Sequence, residues 1–154
     1  MSGTLVTLQR AVPRKLAAVQ RQVAIGGIAS VWRPALDMVW AFLREHPGLH
    51  RGGHNVFLYH HPAQRRAPMA VDFGVEVTEA FGTVGEVFAT ETPAGEVAQA
   101  VHVGGYGELK RTHEAIHDFC TREHRSIAGK SWEIYGDWNE DETKLETTIC
   151  YLLK

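Results

Sequence analysis

The residues best placed to do chemistry lie between Ser131 and Asn139, S-W-E-I-Y-G-D-W-N, where one acid, Glu133, stands inside the most aromatic run of the chain. Read as a strand, this run sends Glu133, Tyr135 and Asp137 to one face and Trp132, Ile134, Gly136 and Trp138 to the other. A carboxylate beside a phenol, on a concave and partly dry face, suits a flat apolar ligand that carries positive charge. The rings stack on the ligand and the acid supplies the counter-charge. The competing reading is a solvated outer face, which antiparallel sheets often present.

Other residues invite chemistry with less support. His102 shares the strand alternation of the second half, although a lone strand histidine is commonly a hydrogen-bonded structural group. His113-Glu114-Ala115-Ile116-His117 spells H-E-x-x-H, the zinc-protease pattern with Glu114 as base. The pattern places these positions on the polar side of a helix, and no third ligand follows at a suitable spacing, so no metal is expected. His60-His61 forms no ligand set, and Gly104-Gly105-Tyr106-Gly107 is too short for a phosphate loop and reads as a turn. No cofactor is expected.

These residues need a frame to hold them, and 154 residues suffice for one domain with its own core, over 1–154. Sixteen Lys plus Arg against eighteen Asp plus Glu give a net charge of -2, which disfavours nucleic-acid or anionic-membrane partners. Cys120 and Cys150 lack C-x-x-C spacing and read as buried small hydrophobes, which fits a soluble, cytoplasmic protein. Residues 1–13 read as a leader or an edge segment. A strand is expected over 14–25, a helix over 28–46 with Pro34 in its first turn, and strands over 55–60 and 69–77. After a connector over 79–94, the same order returns. A strand is expected over 95–103, a helix over 108–124, a loop over 126–130, and strands over 131–139 and 145–153.

The first helix carries two apolar stripes, Val31, Ala35, Met38 and Phe42 and then Leu36, Val39, Trp40 and Leu43. It is therefore expected to be covered on both sides. The halves also agree in letters, Val23-Ala24-Ile25-Gly26-Gly27 with Val101-His102-Val103-Gly104-Gly105 and Val56-Phe57-Leu58-Tyr59 with Trp132-Glu133-Ile134-Tyr135. The expected fold is α+β: duplicated β-α-β-β units, about 14–78 and 95–154, related by a pseudo-two-fold. Their antiparallel sheet would carry the helices on one face and a ligand groove on the other. Phe57, Tyr59, Glu133 and Tyr135 would point into that groove, with Tyr106 and Trp40 as further aromatic wall or rim, and Trp132 and Trp138 would face the helices. Burial among rings would disfavour the ionised form of Glu133 and raise its pKa.

His102-x-Gly104-Gly105-Tyr106, the helix after it, Trp132-Glu133-Ile134-Tyr135 and Leu145-Glu146-Thr147-Thr148-Ile149 together resemble the GyrI-like small-molecule-binding family. The chain is similar in this to the effector-binding domains of multidrug-responsive bacterial activators and of some AraC-type regulators. The resemblance is strongest over 95–153. It implies a central aromatic pocket, with the acid at Glu133 facing a hydrophobic or cationic small molecule. Some free-standing relatives resemble hydrolases that open cyclopropane-bearing electrophiles with the same acid, and another inhibits gyrase. Too few residues precede Arg14 for a DNA-binding domain, so the expectation is a stand-alone binder. The alternatives are a hydrolase with Glu133 as general acid or base, and a protein-interaction or gyrase-inhibitor-like module that uses Leu36, Trp40 and Leu43; a homodimer or a protein partner is a further expectation.

Overall fold

A computed structural model describes residues 4–64 and 66–154. Eight strands and two α-helices follow one another as β1 (Thr7–Ala11), β2 (Lys15–Val23), α1 (Ile28–Glu45), β3 (Asn55–His60), β4 (Met69–Glu76), β5 (Phe88–Glu91), β6 (Gly95–Val103), α2 (Leu109–Arg122), β7 (Ile127–Tyr135) and β8 (Glu146–Leu153). The strands form a single sheet in the order β1-β6-β8-β7-β3-β4-β2-β5, antiparallel throughout. Exchanging β2 with β6, β3 with β7 and β4 with β8 leaves the inner six-strand order unchanged when read from the other end. The β3–β7 pair is the centre of that pattern.

Period-two alternation decides what each strand buries. In β4, Val71, Phe73 and Val75 are fully buried on the side where α1 lies, packed against Ala35, Val39, Phe42 and Leu43. Ala98, Ala100, Ile149 and Tyr151 do the same beneath Ile116 and Cys120 of α2. Ile149 is the direct cross-strand partner of Glu133, and Phe57 partners it on the other side. Both helices therefore lie on the face that bears Glu133, with a cleft between them.

This corrects the expectation that the groove lies opposite the helices. The helix-free face is closed: Leu16, Val56, Leu58, Val97, Trp132 and Cys150 form a third buried cluster there. With no helix on that side, the sheet must curl upon itself to keep these side chains dry. Trp132 accordingly faces away from the helices, against expectation. The helices span the other face only in part and leave a gap between them.

Other differences are local. The 126–130 segment is not a loop: β7 already starts at Ile127 and reaches its regular pairing with β8 through a shift in register between Ile127 and Ser131, with Gly129 at φ 85°. The strand ends at Tyr135 rather than Asn139, with one more cross-strand hydrogen bond, from the Gly136 N–H to the Glu146 carbonyl, just past it. Pro34 lies in the second turn of α1, not the first, and there deprives the helix of one backbone hydrogen bond. The two stripes of α1 are one: Leu36 and Leu43 are buried in the protein's own core, so they offer no surface to a partner. The leading segment supplies β1, which edges the sheet beside β6. Among the described residues, no helix is long and apolar enough to cross a membrane.

Candidate functional site

Register at the centre of the sheet builds the site. Phe57 and Glu133 are directly opposed on β3 and β7, and Tyr59 and Tyr135, each two residues further along its own strand, flank the pair diagonally on the same face. Both phenols reach the same oxygen: Tyr59 Oη donates to Glu133 Oε1 at 2.6 Å and Tyr135 Oη donates to it at 2.5 Å. From above, α2 lowers His113, whose Nε2 lies 2.6 Å from Oε2. The other ring nitrogen, Nδ1, lies 2.7 Å from Tyr151 Oη of β8. A carboxylate only accepts, so Nε2 carries the proton toward Glu133, and in the neutral ring Nδ1 accepts from the Tyr151 hydroxyl.

Glu133 is 4% exposed. Burial pushes its pKa up, but the hydrogen bond and charge of His113, with the donated bonds of Tyr135 and Tyr59, outweigh burial and leave it below the ordinary carboxylate range. The expected upward shift is thus overturned, because the acid is surrounded by donors as well as rings. Tyr59 and Tyr135 shift the opposite way. Burial and the Glu133 charge hold both phenols well above their usual value, so they remain donors. Tyr151 is likewise raised by burial and by Glu133.

Two chambers open on this cluster. The larger, about 900 Å³, is walled by Trp32, Trp40, Phe57, Tyr106, Tyr135 and Trp138. The smaller, about 580 Å³, lies beyond Tyr59 and His113, beside the turn after β2 and the loop between β3 and β4. Glu133, Tyr59, His113 and Ile28 line both. The aromatic chamber is well braced: Trp40 Nε1 donates to Asn55 Oδ1 at 3.1 Å, and Tyr106 meets Tyr135 edge-to-face at 5.6 Å between ring centres.

Of the residues singled out from sequence, Glu133, Tyr135, Tyr106, Tyr59, Phe57 and Trp40 line the aromatic chamber. His102 does not. Its ring is buried, with Nδ1 2.8 Å from Thr112 Oγ1 and Nε2 2.9 Å from the Gly105 carbonyl, and so it fastens the start of α2 to β6. Trp138, expected against the helices, is 72% exposed at the rim of the chamber.

His113 is the site residue whose role the sequence does not announce. Periodicity places it on the polar side of its helix, yet it sits next to Thr112 and three residues before Ile116, both in the buried stripe, and so borders the cleft. The H-E-x-x-H match drew attention to the right histidine for the wrong chemistry. His117 instead packs its ring on Tyr151, and among the described residues no three His, Cys, Asp or Glu side chains gather to hold a metal.

A helix-straddled antiparallel sheet with an aromatic cleft and a buried central acid defines a small-molecule-binding α+β domain. The chain belongs to the GyrI-like family: the model described as GyrI-like small molecule binding domain matches residues 6–154. No protein of curated function matches the sequence. Among solved structures, the EcmrR C-terminal domain is similar with a TM-score of 0.80 and 16% identity, over 98% of each chain. SAV2435, solved bound to tetraphenylphosphonium, is similar at 0.75 and 14%, over 97% of this chain and 94% of its own. A hydrolase from Listeria innocua is similar at 0.61 and 15%, over 97% and 91%. At these identities the structural likeness is one of fold.

Proposed function

We propose that the chain binds hydrophobic, ring-bearing cations, which it sequesters or senses in the cleft between α1 and α2. The observation that carries this is a nearly inaccessible carboxylate, hydrogen-bonded by two phenols and an imidazole, at the floor of a chamber lined by seven aromatic rings. A cation entering that chamber gains ring-face attraction and a counter-charge in a poorly screened place. The tetraphenylphosphonium held by the similarly folded SAV2435 supports the same ligand class. The hydrogen bonds from His113, Tyr59 and Tyr135 disperse part of the Glu133 charge, so the rings supply most of the affinity and the acid favours cations over neutral molecules of similar shape.

The test is titration of tetraphenylphosphonium against the intrinsic fluorescence of the chain's four tryptophans. Glu133→Gln keeps the shape and can still pair with both phenols and with the other tautomer of His113. It should weaken the cation roughly ten-fold, as a charge pair in a medium of intermediate dielectric would. Triphenylphosphine oxide, which is neutral, should bind both proteins alike. Equal affinity of wild type and variant for the cation would dismiss the electrostatic part of this reading.

A second reading rests on the unbroken Glu133–His113–Tyr151 chain of hydrogen bonds, a path along which a proton could pass. In a hydrolase acting on electrophilic, cyclopropane-bearing molecules, Glu133 would then serve as a base. Its pKa, held low against burial by His113, Tyr135 and Tyr59, suits the base role better than the acid role. Turnover of such a compound by wild type and none by Glu133→Gln would favour this reading.

A further inference from the structure

The smaller chamber differs in character from its neighbour. Val23, Ile25, Ile28, Met69 and Val71 give it an aliphatic wall, Tyr59 and Tyr151 are its two phenols, Gln64 and Arg66 stand on its loop side, and its deep polar groups are already engaged with one another. His61 Nε2 lies 2.7 Å from Ser131 Oγ, and His113 Nδ1 is taken by Tyr151 Oη. Burial, followed by the nearby His117, His113 and His60, pushes the pKa of His61 down, so the imidazole adds no positive charge at neutral pH. A polar head would find few deep partners there, whereas hydrocarbon meets apolar surface. The two chambers share Ile28, Tyr59, His113 and Glu133, which makes them neighbours within the span of one molecule.

Resting on the cation-binding reading above, we infer that this second chamber is a subsite for an aliphatic arm. The full ligand is thus an amphiphile, with a flat cationic ring system between Trp40, Phe57 and Tyr135 and a hydrocarbon chain that passes Glu133 toward Val23 and Met69. The wall between the chambers fixes where ring must give way to chain. It is rigid because Tyr59 and His113 are both hydrogen-bonded to the same carboxylate. A ligand of rings alone fills one chamber only.

Two dyes that differ only in the arm test this: acridine orange and its 10-nonyl derivative, titrated by fluorescence polarisation. Burial of even a few methylenes predicts at least about ten-fold tighter binding of the nonyl dye to wild type. Ala67→Trp should fill the chamber from its loop, and Ile25→Asp should make its lip polar at a position already 73% exposed, where folding is not at stake. Each should remove most of the nonyl advantage and leave the acridine orange affinity within about two-fold. A nonyl advantage that survives in both variants, or is absent from wild type, overturns the subsite. Acridine orange failing to bind, while the nonyl dye binds and responds to both substitutions, would instead retain the subsite and refute the cationic-ring reading.

Discussion

His113→Leu isolates what holds a negative charge in the middle of this sheet. Leucine fills similar space on α2 but removes the only donor to Glu133 Oε2 among the described residues, at 2.6 Å in the native cluster, and leaves Tyr59 and Tyr135 on Oε1. Losing one partner of a buried, hydrogen-bonded charge destabilises a fold by about 3 kcal/mol. For a chain of this length, that is a fall in Tm of roughly 6–12 °C. The penalty should depend on pH with a definite sign. In wild type the folded pKa of Glu133 lies below its unfolded value of about 4.3, so the contribution is complete above that pH and is lost as pH falls through the folded value. Without His113, burial dominates and the folded pKa rises, so the variant can relieve its strain by taking up a proton as the solution is acidified. Urea denaturation followed by tryptophan fluorescence at pH 7.5, 6 and 5 should therefore show the gap between wild type and variant narrowing toward acid. A gap below about 0.5 kcal/mol at pH 7.5, or one that widens on acidification, would refute the claim that His113 compensates a buried charge.

Two further outcomes follow from the same geometry. Tyr59→Phe and Tyr135→Phe each delete one donor to an ionised acceptor, so each should lower stability by about 1.5 kcal/mol in denaturant melts, with the double variant departing from additivity because the two share Oε1. Gly53→Ala should destabilise by about 2–4 kcal/mol in the same assay, since a Cβ there would lie 2.2 Å from the Glu76 carbonyl oxygen, backbone that cannot move aside without disturbing the end of β4.

The strands with clear alternation were legible in the sequence almost to the residue, as over 55–60 and 95–103, because a half-buried strand leaves period two in its letters. The face on which Glu133 lies relative to Trp132 was legible for the same reason. Which of those faces the helices would cover was not. Alternation separates two sides of a strand but does not say which one a curling sheet closes by itself, and here the Trp132 side is closed without any helix. The partner of Glu133 was hidden by a related ambiguity. His113 and His117 are one turn apart, yet a small rotation of α2 decides that the first meets the carboxylate while the second rests on Tyr151. Helical periodicity places a boundary residue to within one position, and at the edge of a buried stripe one position is the difference between solvent and site.

That boundary also explains why the acid is low in pKa rather than high. Two strands at the centre of the sheet can bring only what their shared face carries, here Phe57, Tyr59 and Tyr135, and phenols alone would leave one carboxylate oxygen facing hydrocarbon. The missing donor has to come from outside the sheet, and α2 is held at the right height by the His102 bonds to Thr112 and Gly105. His102 and His113 thus divide one task, the first setting where the helix starts and the second using that position to complete the pocket. A pocket assembled this way keeps its charge only while α2 stays docked, so occupancy of the cleft and the stability of that helix should rise and fall together.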